Sequence, residues 1–249
     1  MSSERGGGKM RKFWTLLKKD LWVSAQDKMV LMMFFCPIVL AILFRAAIYG
    51  PWLILMAVTV LNMVLAPLCT CPLLIAAEKE QGTLPLLRRS KVRGGEFIAA
   101  KSAAAVLTGI IAAVIIYLIA GEGRALLGEY LLLNAVIMIS LLPYGLFIAV
   151  FARDQNSLNV YPIPGVLVFY VLPVFSMFHP LFGELARWVP TGLYSVIFRQ
   201  TAPAEYNTFL DIPFFWSAIV CVVWFVGGIV LLWLAVKKRD YLVSLESYK

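Results

Sequence analysis

Long apolar runs broken by short polar interruptions set the pattern of this chain. Six runs reach the roughly 20 residues a helix needs to cross a hydrocarbon core: 29–49, 52–76, 97–120, 130–151, 158–178 and 213–236. They predict an all-α polytopic membrane protein with six transmembrane helices. Ahead of them, residues 10–28 carry a helical period. Phe13, Trp14, Leu17, Leu21 and Ala25 fall on one arc, while Arg11, Lys12, Lys18 and Lys19 crowd the opposite one. That pattern predicts an amphipathic interfacial helix in the headgroup plane, its cations toward anionic lipid. Residues 1–8, rich in Ser and Gly, are expected to fray. The chain thus divides into a tail with an interfacial helix, 1–28, and a six-span membrane domain, 29–249.

Most connections are short. Gly50-Pro51 makes spans one and two a tight hairpin, 121–129 joins spans three and four, and 152–157 joins four and five. Two connections differ. Residues 78–96 form the longest charged stretch between spans. Residues 179–212 form a 34-residue link that carries Leu181, Phe182, Leu185, Trp188, Leu193 and Phe198, broken at Pro190-Thr191-Gly192. Non-helical backbone survives at membrane depth only where protein or a water-filled cavity shields it. The second link therefore predicts two re-entrant half-helices that dip back against the spans.

Composition agrees with this picture: 61% of the 249 residues are apolar and 14% charged, against roughly 45–50% and 25% in soluble domains. Positive loops stay cytoplasmic. An inside N-terminus places 18 of the 22 lysines and arginines on the cytosolic side and leaves only Arg45, Arg124, Arg187 and Arg199 outside. Both termini and the 78–96 loop are accordingly expected in the cytosol, and residues 1–28 are too polar for a cleaved signal peptide. The net charge of +8 reads as an orientation signal and an attraction to membrane lipids, with no nucleic-acid partner.

Within the spans, ionisable groups sit at the ends. Arg45 and Lys101 are each placed to snorkel, and the six cores hold no carboxylate at midplane, where ion-driven carriers keep theirs. Span two carries Thr59, Asn62, Ala66, Cys69, Thr70 and Leu73 as a small, mildly polar stripe. Such a face either packs on another helix or lines a pathway. Span five, with Pro162, Pro164 and Pro173 beside Asn159, Tyr161 and Tyr170, is expected to be the least regular. Ser102, Ala105, Gly109 and Ala112 in span three read as a packing face.

Catalytic and metal constellations fail. Cys69-x-Cys71 places its two thiols on different sides of a helix, and buried cysteine is ordinarily a small hydrophobe. His179 is the one histidine and stands at a boundary, so no metalloprotease or nucleophile–base set can form around it. Glu78 and Glu80 lack a partner in sequence for hydrolysis. A G-x-x-x-x-G-K-[ST] phosphate loop is absent, since Gly8-Lys9 runs into Met10. The chain is expected to be no enzyme and to hold no cofactor or metal of its own.

The 78–96 loop carries the most information. Glu78-x-Glu80-x-Gly82-Thr83 leads into Pro85, Leu86 and Leu87, then Arg88, Arg89, Ser90 and Lys91, and Gly94-Gly95 turns the chain into span three. Thr83 can cap a short helix with Pro85 in its first turn. A leucine pair ringed by cations suits a groove with an acidic rim on a soluble partner. A solvated positive loop is the plainer alternative, but orientation alone does not call for the acids. This layout resembles the membrane subunits of type-2 ATP-binding-cassette (ABC) transporters. The likeness rests on the Phe13–Lys19-Asp20-Leu21 stretch before span one, the Glu-x-Glu-x-Gly-Thr run after span two with leucines and Ser90 beyond it, and Lys101 opening span three. Lys91 departs from the proline often found after that serine.

The resemblance implies an exporter permease in a bacterial cytoplasmic membrane, paired with a second copy of itself or a related six-span subunit. A cytosolic coupling helix in 78–96 would dock on a separate ABC ATPase subunit, where ATP and Mg would reside, using Glu78, Glu80, Gly82, Thr83, Leu86, Leu87, Arg88 and Arg89. A hydrophobic or amphipathic substrate would pass between the membrane subunits along Thr59, Asn62, Cys69, Thr70, Tyr161 and Tyr170, beneath a gate formed by 179–212. A non-transporting scaffold or assembly factor for an enzyme complex is the alternative from another class.

Overall fold

The computed structural model describes residues 3–47, 50–83, 94–121, 126–152, 154–176, 178–195 and 213–246, with side chains inside 13–237. Among these residues the structure is helical: α1 (Ser3–Ser24), α2 (Lys28–Ala46), α3 (Pro51–Glu80), α4 (Gly94–Ala120), α5 (Leu127–Phe151), α6 (Asn156–Phe175), α7 (Pro180–Ala186) and α8 (Phe214–Glu246). Six of them, α2 to α6 and the Phe214–Lys237 part of α8, are long and apolar enough to cross a membrane. The chain is a helical integral membrane protein. The six runs of the sequence correspond one to one with these helices.

The centre of the bundle is α3. Its apolar window is 89% buried, against 22% for α2 and for α8, and it packs on α2, α4, α5 and α6. The outer walls expose Met32, Phe35 and Ile42 from α2, Leu167 and Val168 from α6, and Val222, Val223 and Val226 from α8. Lipid is the solvent such faces fit. Between helices in lipid no hydrophobic force acts, so close approach of small residues carries the packing. Gly109 of α4 lies against Ala66, where an added Cβ would stand 2.7 Å from the alanine Cβ. Gly145 of α5 crosses directly over the Pro67 carbonyl, and Gly228 of α8 seats on Pro143 and Tyr144. Tyr144 fastens the last crossing by donating to the Trp224 carbonyl at 2.9 Å.

Two spans depart from regular α geometry. α3 widens into π-helix at Ile54–Val58 and again at Ala66–Thr70, the second around Pro67 and just before Pro72. Proline has no N–H to give and crowds the preceding turn, and a π segment absorbs both. α6 starts as a 3-10 turn at Asn156–Asn159, turns through Pro162, then runs as Ile163–Val166, a π segment Leu167–Val171 and Leu172–Phe175. Its three prolines make it the irregular span that the sequence predicts.

Of the two outer half-helices expected, the first is α7, whose N-terminus is capped by His179 Nδ1 accepting from the Leu181 amide at 3.1 Å. The predicted break is a 3-10 segment, Pro190–Tyr194, buried throughout. The second half-helix expected beyond the break rests on 196–212, which lie outside the described residues. The segment is sewn to its neighbours: Thr191 Oγ1 donates to the Phe169 carbonyl in the π segment of α6 at 2.7 Å, and Trp224 Nε1 to the Trp188 carbonyl at 2.6 Å.

Two expectations for α1 need correction. The helix begins at Ser3, so residues assigned to a frayed tail are helical; once a helix is held downstream, each residue added gains a hydrogen bond. Its inward face also differs. Leu16, Leu17, Asp20 and Ser24 are buried, while Trp14 and Trp22 are exposed. α1 packs extensively along α4, so much of the arc expected to meet lipid meets protein instead.

Candidate functional site

At the end of the bundle where α3 stops and α4 starts, three sequence-distant segments meet on one ammonium. Lys101, about one turn past Phe97 on α4, is 1% exposed. Its Nζ donates to Asp20 Oδ1 of α1 at 2.6 Å and to Glu78 Oε1 of α3 at 2.9 Å, with the Phe97 ring 5.4 Å away. Lys19 reaches the same Glu78 oxygen at 2.7 Å from a position 41% exposed. Two carboxylates and two ammoniums balance in charge, and the geometry of the inner pair is what makes burial tolerable, since desolvating each ion costs several kcal/mol. Asp20 is the least satisfied member. Its Oδ2 is buried without a partner, and burial pushes its carboxyl above the ordinary aspartate range, with Lys101 only partly offsetting this.

The Glu-x-Glu-x-Gly-Thr run builds this cluster through its backbone. Gly82 takes φ +65°, the left-handed region open to glycine. That turn lets the Thr83 amide bond the Glu78 carbonyl at 3.1 Å and the Gly82 amide bond Lys79 at 3.2 Å, a Schellman closure of α3. Thr83 Oγ1 turns back onto Glu78, donating to its Oε2 and to its carbonyl. Glu78 is thereby held from Lys19, Lys101 and Thr83 at once. Its neighbours tie α3 to the next connection. Lys79 Nζ donates to the Ala149 carbonyl and, at 2.8 Å, to that of Ala152, covering the open end of α5. Glu80 Oε2 accepts from the Gln155 amide at 3.4 Å. Gln155 Nε2 in turn donates at 2.6 Å to Asp27, whose other oxygen caps α2 at Met29 and Val30.

Of the residues expected to dock a partner, then, Glu78 faces inward at 4% exposed, and Glu78, Gly82 and Thr83 shape the root of the loop. Leu86, Leu87, Arg88 and Arg89, with the coupling helix they would form, lie outside the described residues. Lys101 corrects another expectation: it does not snorkel outward but is paired internally. The signal for this was present in α1, where Asp20 shares a helical face with Leu17, Leu21 and Ser24. A carboxylate on an apolar face requires a cation opposite.

The six expected pathway residues do not share one surface. Thr59, Asn62, Cys69 and Thr70 are all buried inside the chain. Thr59 Oγ1 pairs with the Tyr130 hydroxyl at 3.1 Å, and Asn62 Nδ2 donates to the Gly109 carbonyl at 2.9 Å. Those two are engaged in helix packing, one of the two roles open to the stripe. The space beside Asn62 and Thr70 amounts to about 10 Å³, no more than one water. Tyr161 is exposed and Tyr170 half-buried, both on α6. Among the described residues no group of histidines, cysteines and carboxylates could hold a metal. Compared with protein-family models and with curated proteins, the chain matches none.

Proposed function

We propose that this chain is the membrane-spanning subunit of an ATP-driven ABC exporter, powered by a separate ATPase that docks on the 78–96 loop. The observation that carries the reading is the convergence of Asp20, Glu78 and Lys101 on one buried site. These residues come from the three stretches on which the resemblance rests. The cluster fixes both roots of the loop, the end of α3 and the start of α4, to α1. A force applied to the loop is then delivered to three helices together instead of bending one, which is what a subunit that borrows its power stroke requires.

A substrate route in this reading runs between membrane subunits and not through the chain, because the interior beside Asn62 has room for a water only. α6 is suited to line it. Its prolines and π segment make it the least regular span, and Tyr161, Ile163 and Leu167 are exposed on it. Export of a hydrophobic or amphipathic compound is the direction and class proposed.

The test is Leu86→Asp with Leu87→Asp in a tagged chain expressed in its native host. An ABC-type ATPase should co-purify with the wild-type chain and be lost from the variant, while insertion and yield stay unchanged. Wild-type recovery of an ATPase with the variant, or no ATPase with either, would sink the docking site.

A further inference from the structure

At the same end of the bundle, α4 and α8 scarcely touch, and a groove of about 270 Å³ opens between them. Its walls are apolar: Ile75 from α3, Phe97 and Ile98 from α4, Leu146 from α5, Leu232 and Val236 from α8. Lys79 also lines it, with its ammonium engaged by the end of α5. One residue beyond Val236 stands Lys237, its Nζ 5.1 Å over the Trp233 ring, and Lys238 and Arg239 follow in sequence. Hydrocarbon walls with a lysine at the next position along α8 call for a ligand of two parts, an acyl chain and an anion. A tryptophan and a lysine one turn apart on α8 mark the depth where headgroups lie.

We infer that this groove is a binding site for an anionic phospholipid, with one acyl chain between α4 and α8 and the headgroup phosphate at Lys237. The site needs only the membrane embedding of the six spans and stands whether or not the chain works with an ATPase. The lipid would seal α4 against α8 beside the Lys101 cluster, where direct helix contact is missing.

The test is native mass spectrometry of the intact chain in mild detergent, offered phosphatidylglycerol or phosphatidylcholine with identical acyl chains. The wild type is expected to retain phosphatidylglycerol with a preference of about fivefold for each cation it meets. Lys237→Gln should remove about fivefold of that preference and keep the adducts. Ile98→Trp, at a position 40% exposed inside the groove, should lose adducts of both lipids. Ile111→Trp, on the same helix and 51% exposed but away from the groove, should keep them and controls for folding. Equal adducts in Ile98→Trp and the wild type, no headgroup preference, or a wild type free of lipid would each overturn the proposal, the last pointing to protein over the groove.

Discussion

Lys101 concentrates the electrostatic risk of the molecule in one side chain. Removing the ammonium leaves Asp20 and Glu78 facing each other in a buried site, and breaking a buried pair by deleting one partner costs about 3–5 kcal/mol. Lys101→Met is expected to lower stability by that amount, read as the midpoint of a denaturation titration in mixed micelles. Lys19→Met removes a pair 41% exposed on the lysine side and should cost no more than about 1 kcal/mol. Adding Asp20→Asn to Lys101→Met should recover part of the loss, since one stranded charge goes with it. If Lys101→Met costs no more than Lys19→Met, the cluster is not held as described. At this scale the sequence was partly legible. Lys101 and Glu78 stood out by position, but a lysine near a span end has two outlets, water or a buried acid. Only the tertiary approach of α1 to α4 decides between them.

Elements were easier to read than pairings. A span announces itself through about 20 apolar residues, because the hydrocarbon core offers an exposed polar group no partner, and all six helices follow that rule. The π segments of α3 were not legible, since Pro67 and Pro72 are compatible with a kink, a π turn or a break. The second π segment is where α5 crosses, with Gly145 against the Pro67 carbonyl. This makes Gly145 a test of the crossing. In a helix interior, Ala is favoured over Gly by about 1 kcal/mol, and Gly128→Ala, with open space around its Cβ, should lose nothing. Gly145→Ala should instead lose about 1–3 kcal/mol by overpacking, because the obstacle is backbone and cannot swing aside. Equal midpoints for the two variants in the same titration would show that α3 and α5 are not so close. The face of α1 was legible in period but not in partner: an apolar arc reads the same whether lipid or α4 covers it.

For the whole molecule, everything proposed about coupling depends on which side of the bilayer the Lys101 cluster faces. Eighteen of 22 cations fall on one side when the N-terminus is placed inside, and the rule that positive loops are retained then predicts a cytosolic 78–96 loop. The cluster adds three buried charges, Asp20, Glu78 and Lys101, to that end of the bundle, and the proposed exporter reading requires that end to face the cytosol. With the native cysteines replaced, Gly94→Cys should react with a membrane-impermeant maleimide only after cells are opened. Gly121→Cys, at the opposite end of α4, should react in intact cells. Gly94 lies at the foot of the loop with open space at its Cβ, so silence there reflects sidedness and not burial. Labelling of Gly94→Cys in intact cells would place the loop outside, where no ATPase could reach it, and the exporter reading would fall while the lipid groove and the ion cluster would stand.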